Sequence, residues 1–257
     1  MYALPWLVGL LAIAAVMLGL WMGVAGPDES PDHPGGTPGT PGIPGTPGAS
    51  EGGGENKALP EPRVDGETAL EATMAARRSV RAFQRGASLA REDLAQLLWS
   101  AQGVTEAEQG LRTAPSAGGT YPMVCYAVVG DVADLPAGVY RYDPDDHALS
   151  HHVDGDLRRD VAAAALNQNW LAEAPVVFVI AAVYERTAAR YGDRAERYVH
   201  MEAGHVGQNI ALQAVALSLG ITMVGAFDDA AVSRRLELPD DHAPLYIIPT
   251  GPPRNAD

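Results

Sequence analysis

Glu196–Leu219 reads ERYVHMEAGHVGQNIALQAVALSL, and the reading of this stretch decides the fold. Apolar residues recur at helical spacing on most of its sides, with glycines embedded, so it predicts a long buried helix at the centre of a domain, closed by Gly220. Upstream, Ala174–Val183 is a continuous apolar run suited to the middle of a sheet. Met123–Val129, Gly138–Tyr142 and Leu245–Pro249 predict further strands. Glu67–Arg78, Ser88–Gln102 with Ser88 as N-cap, Gly155–Leu166 and Asp229–Leu236 predict helices. The sum is an α+β domain, a mixed sheet flanked by helices, spanning residues 63–257.

The residues before that domain read differently. Trp6–Ala25 carries no charge and is long enough to cross a hydrocarbon core, which predicts one transmembrane helix within a segment 1–26, acting as a single-pass anchor or a signal segment. The flanks lack Lys and Arg, so the side of the membrane on which the domain would sit is left open. Residues 27–62, rich in Pro, Gly and Thr, read as an extended linker; its Gly-every-third pattern at Gly36–Gly48 is too short for a collagen helix.

Composition narrows the function classes. The 257 residues hold 32 acidic and 18 basic side chains, a net charge of -14 that would repel a phosphate backbone, so nucleic acid is not an expected partner. Lys57 is the sole lysine. The single cysteine, Cys125, excludes an intrachain disulfide, and its apolar setting predicts a buried strand residue.

Four clusters could carry chemistry. Arg77-Arg78-Ser79-Val80-Arg81 sets three guanidiniums and a hydroxyl within reach of a phosphate, although arginines at a helix C-terminus also serve the helix dipole. Thr113–Pro122, containing Pro115, Ser116, Ala117 and Gly118, is a loop whose backbone can approach a ligand closely. Glu202–Asn209 lies on the central helix, and Met223–Asp228, with Val224, Gly225 and Ala226, precedes the last helix. His200 and His205 are five residues apart, on different faces of a helix, so a structural role is expected and no metal site is assigned.

In order and spacing these clusters resemble the nitroreductase superfamily of flavoenzymes, and within it the SagB-type dehydrogenase branch that includes azoline oxidases. The resemblance runs from about Glu67 to Arg254. It implies a homodimer with FMN at the subunit interface and a small-molecule substrate, with NAD(P)H as a possible co-substrate. By the same resemblance Arg77 would bind the phosphate, Arg78 and Ser79 the phosphate and ribityl, and Arg81 would stand near the pyrimidine edge. Pro115, Ser116, Ala117 and Gly118 would belong to the loop that the partner lays on the cofactor. Val224, Gly225 and Ala226 would line the ring, with the Ala226 N–H aimed at N5; Arg254 would close on the phosphate and Gln168 would touch the ring.

Azoline oxidases usually carry a Lys-Tyr pair where this chain has Arg190-Tyr191. Arginine cannot serve as a base at neutral pH, while Tyr191 remains a candidate proton donor. The implied activity is electron transfer from a reduced donor to a small organic acceptor by hydride at N5. The alternatives are a dehydrogenase of peptide azolines and a non-catalytic, membrane-tethered flavin-binding module.

Overall fold

The computed structural model describes residues 56–254. Two strands, β4 (Met123–Val129) and β7 (Val176–Ala182), pair antiparallel along their whole length, and every side chain in both is buried. They sit at the centre of a seven-stranded sheet. Its order is β1 (Asn56–Ala58), β6 (Ala148–Asp154), β5 (Gly138–Asp143), β4, β7, β9 (Ala243–Gly251), β8 (Gly220–Ile221). A separate hairpin joins β2 (Val104–Glu106) to β3 (Leu111–Arg112).

The period of two along β4 and β7 divides the core into halves. Cys125, Ala127, Phe178 and Ile180 face one apolar cluster, filled by Leu94, Leu97 and Leu98 of α2 (Arg91–Gln102) and by Val199, Ala203, Val206 and Ile210 of α5 (Ala195–Ala216). Tyr126, Val128, Val177 and Val179 face the other, covered by Val161 of α3 (Arg158–Ala164) and Val232 of α6 (Asp229–Arg235). Two shorter helices, α1 (Leu70–Ala76) and α4 (Tyr184–Tyr191), pack against α5. The 22-residue α5 thus has the central, buried position that its composition demands.

Several expectations need correction. Every ladder between named strands is antiparallel; the parallel element among the described sheet residues is the isolated bridge Ser79–Ile221, so the sheet is mixed only there. Ser88 is not an N-cap. Leu89 is held extended by a hydrogen bond to the Asp131 carbonyl and a bridge to Val132, so α2 begins at Arg91 with Ala90 as its cap. Nor does Gly220 close α5: Ser218 takes the left-handed conformation, at φ 59°, and Gly220 lies in β8. A Cβ on Gly220 would come within 2.8 Å of Val80 Cγ1, so glycine serves a close strand approach there. The sheet also begins at Asn56, inside the stretch read as linker, because Asn56–Ala58 pairs with Ala148–Ser150.

The preceding transmembrane helix of the expected fold class, and the membrane-anchored location read from it, are likewise corrected: they find no support among the described residues. Among the described residues no helix is long and apolar enough to cross a membrane. The longest, α5, has the length but carries Glu196, Arg197 and Glu202. Trp6–Ala25 itself lies outside the described residues.

Candidate functional site

The Arg77–Arg81 segment follows α1 and runs beside β8. The Val80 N–H donates to the Ile221 carbonyl at 2.9 Å, and the Thr222 hydroxyl donates to the Val80 carbonyl. This pairing brings Arg77 and Ser79 together with Ala211, Ile221, Thr222 and Met223 around a pocket of about 170 Å³, counting its open mouth. Most of that volume is the open mouth, and the enclosed part is about the size of one water molecule, so within one chain this is a shallow cleft rather than a complete cofactor site. Among the described residues neither Arg77 nor Arg81 has a carboxylate partner; the arginine ion pairs lie at Arg85, Arg112, Arg158, Arg235 and Arg254.

Arg78 is turned elsewhere. Its Nη1 donates to the Ala75 and Arg77 carbonyls at 3.0 and 2.8 Å, completing the C-terminus of α1, which is the helix-dipole role weighed above. Arg254 is brought alongside by the chain end: its N–H donates to the Ala82 carbonyl, and Phe83 bridges Pro253. Its guanidinium lies 3.9 Å from Glu173, which Arg85 also holds at 2.7 Å.

Beyond Met223, Val224 exchanges two backbone hydrogen bonds with Ile247, which fixes the segment to β9. Gly225 and Ala226 then emerge at the surface. Gln168 Nε2 donates to the Ala226 carbonyl at 3.2 Å, while among the described residues the Ala226 N–H donates to no group of the chain. An exposed peptide donor on a pinned backbone is suited to meet an acceptor atom of a ligand.

The Pro115–Gly118 loop occupies a different place. Asn209 Nδ2 donates to the Thr113 carbonyl and His205 Nδ1 contacts the Pro115 carbonyl, both at 3.2 Å, so α5 holds one side of the loop. From α4, Arg186 donates to the Tyr121 carbonyl, Arg190 to the Gly118 carbonyl, and Thr187 shares a hydrogen bond with Thr120. Ser116 Oγ accepts from the Tyr121 N–H at 2.9 Å. Gly118, at φ 60°, has no room for a Cβ: one would sit 2.5 Å from the Tyr191 hydroxyl. Tyr191 therefore packs on the loop, with its ring edge-on to Tyr198 at 4.9 Å.

Arg186, Thr187, Arg112 and Thr222 were not singled out from sequence, and Glu202 was named there only as the first residue of the third cluster, without a role of its own. Glu202 is nearly fully buried, and burial pushes its carboxyl up to about 7. A lone acid inside an apolar helical run was the available signal. Cys125 is buried in β4, and desolvation pushes its thiol up to about 12.

Residues 74–252 match the nitroreductase family. A candidate nitroreductase of Methanocaldococcus jannaschii is 43% identical over 198 residues, covering 77% of this chain and 98% of that protein. Two solved structures, both of candidate nitroreductases, are similar as well. One, from Ralstonia eutropha, has a TM-score of 0.67 and 28% identity over 78% of this chain and 90% of its own. The other, from Anabaena variabilis, has a TM-score of 0.69 and 33% identity over 78% of this chain and 42% of its own. The chain belongs to the nitroreductase family, a family of oxidoreductases.

Proposed function

We propose that this protein is an FMN-dependent oxidoreductase that passes electrons from NADH or NADPH to a small organic acceptor, working as a homodimer. The observation that carries the reading is a set of uncommitted donors: Arg77 and Ser79, which line the pocket, and, on the segments that run on from its lining residues, Arg81 and the Ala226 N–H. In a chain of net charge -14, an arginine without a carboxylate partner at a pocket, as Arg77 is, suits an anion.

This donor set fits FMN. Arg77 and Ser79 would grip the phosphate, and Arg254, loosely held by Glu173, would close on it. Arg81 would stand near the pyrimidine edge of the ring, where a cation favours the negative charge of the reduced state. Val224 and Gly225 carry the backbone to Ala226, whose N–H would donate at N5, while Gln168 steadies the segment through the Ala226 carbonyl. The Pro115–Gly118 loop, which makes no hydrogen bond to these donors among the described residues, would cover the cofactor from the partner subunit. When bound, the flavin would supply the redox chemistry, hydride transfer between a donor and an acceptor. The donor is thus oxidised, the acceptor gains a hydride and a proton, and Tyr191, half-buried on the loop, offers a hydroxyl as proton source.

The order of the motifs also favours a finer placement in the SagB-type branch. Against azoline oxidation, the guanidinium of Arg190 is committed to the Gly118 carbonyl and has no basic lone pair to offer. Steady-state assays with NADH or NADPH and a nitroaromatic or quinone acceptor test the main reading. Turnover that depends on added FMN supports it. Turnover of an azoline peptide without nicotinamide would replace it, and bound flavin without turnover would leave a binding module.

A further inference from the structure

Glu202 sits in the middle of α5 with 2% of its surface exposed. Its Oε1 and the amide nitrogen of Gln102 are both enclosed, and both lack a hydrogen-bond partner. The Ser116 hydroxyl and the Gln102 side chain stand close enough to the carboxyl to favour its ionised form, and burial outweighs both. Arg112, the cation that faces it, is drawn away by Gln102 Oε1 at 3.3 Å, by the Tyr121 ring at 4.7 Å and by Asp145 at 3.6 Å.

We propose that Glu202 is a positioning residue acting through Ser116: with its carboxyl protonated the Pro115–Tyr121 loop closes over it, and with the carboxylate ionised the loop opens to admit water to Oε1. A buried carboxylate without a committed cation is strongly disfavoured unless it is hydrated. Of the two elements that carry its polar neighbours, α2 is a twelve-residue helix embedded in the core. The loop is a single short turn with Gly118 and Gly119 at positive φ, tied by a handful of hydrogen bonds at its edges. The loop is therefore the part that yields.

Burial sets the midpoint near neutrality, at about 7. Two other acids near this region, Cys125 and Tyr142, are held neutral there by burial. Burial pushes the Cys125 thiol of β4 up to about 12, and the Tyr142 hydroxyl of β5 is raised and bonded to His147. On α5 itself His205 is engaged by the Pro115 carbonyl, and His200 by the Tyr184 hydroxyl of α4. The inference goes beyond the flavin reading and does not rest on it, because every group in it belongs to the chain.

Hydrogen exchange of the loop amides in the purified full chain, without added cofactor and corrected for intrinsic rates, tests it from about pH 5 to about pH 8. Linkage predicts that wild-type loop opening rises by up to about tenfold per pH unit until about pH 7 and then levels off. Glu202→Gln should hold the loop closed throughout, and Glu202→Asp should restore a pH-dependent rise. The same rise in Glu202→Gln as in wild type would overturn the proposal. Should that variant not fold, difference infrared spectra of the wild type decide: a protonated-carboxyl band lost across neutrality, and missing from Ser116→Ala or shifted in it, supports the link, whereas no such band in the wild type overturns it.

Discussion

His205 Nδ1 lies 3.2 Å from the carbonyl oxygen of Pro115, and through this contact the central helix holds the loop that carries Ser116. Asn209, one turn further along, holds Thr113 in the same way. The Glu-Ala-Gly-His-x-x-Gln-Asn motif thus works as a bracket in this chain. His205→Ala and Asn209→Ala should each cost about 0.5–1.5 kcal/mol, the net worth of one hydrogen bond. In a domain of this size that lowers the melting temperature by roughly 2–4 °C per kcal/mol, measurable by calorimetry. Two unchanged melting temperatures would mean that the loop stands without the bracket.

Gly118 is where the loop is tightest. Its φ of 60° penalises any L side chain, and a methyl group would meet the Tyr191 hydroxyl at 2.5 Å and Arg190 Nε at 2.9 Å. Gly118→Ala should cost about 1–2 kcal/mol from the backbone alone, with more from displacing Tyr191. Gly110, also left-handed but with open space around it, should show the backbone part only when changed to alanine. Equal losses of denaturation free energy at the two positions would remove the argument for Tyr191 packing.

Two buried groups should oppose each other in the pH dependence of stability. His242, bonded to the Tyr126 hydroxyl at 2.7 Å, is pulled by burial from 6.5 to about 4, so its contribution is present above pH 6.5 and is lost as pH falls through 4. Glu202 is raised from 4.5 to about 7, so its contribution is full below pH 4.5 and is lost as pH rises through 7. Across the shared window the two slopes, each at most about 1.4 kcal/mol per pH unit, have opposite signs. Relative to wild type, Glu202→Gln should become more stable as pH rises from 4.5 to 6.5, and His242→Phe less so. Urea denaturation at several pH values measures both; parallel profiles for all three proteins would refute the assignment.

The pocket donors carry the binding prediction. Arg77→Met removes a charge-assisted contact worth about 1.5–3 kcal/mol, so FMN affinity should fall by roughly tenfold to a hundredfold. Ser79→Ala should cost less, while Arg78→Met, whose guanidinium is bound to α1, should lower stability more than affinity. Quenching of flavin fluorescence on titration measures the affinities, and an Arg77→Met protein that binds as tightly as wild type would exclude Arg77 as the phosphate ligand.

Much of this architecture was legible in the residues. The uninterrupted apolar runs at Met123–Val129 and Val176–Ala182 and the apolar helix after Arg194 name the core without further help, because burial on both faces leaves no room for polar residues. Elements defined by partners were not legible. Ala148–Asp154 carries two histidines and reads as polar, yet pairing with β5 and β1 makes it a strand. Tyr184–Tyr191 carries three charges in eight residues because its outer face is exposed and its inner face holds a loop as well as packing on α5. Ser88 has the chemistry of an N-cap, but a bridge from Leu89 to Val132, distant in sequence, moves the helix start. The candidate site divides in the same way: Arg77, Ser79 and Ala226 were named by motif, whereas Glu202 gains its character from burial, which only the folded chain supplies.

The most direct test of the account is the visible spectrum of the purified chain with FMN, recorded anaerobically before and after NADH or NADPH. The account predicts a yellow protein that retains its flavin through gel filtration as a dimer and bleaches on addition of the nicotinamide. A protein that refuses FMN, or a bound flavin that stays oxidised with both nucleotides, would contradict it.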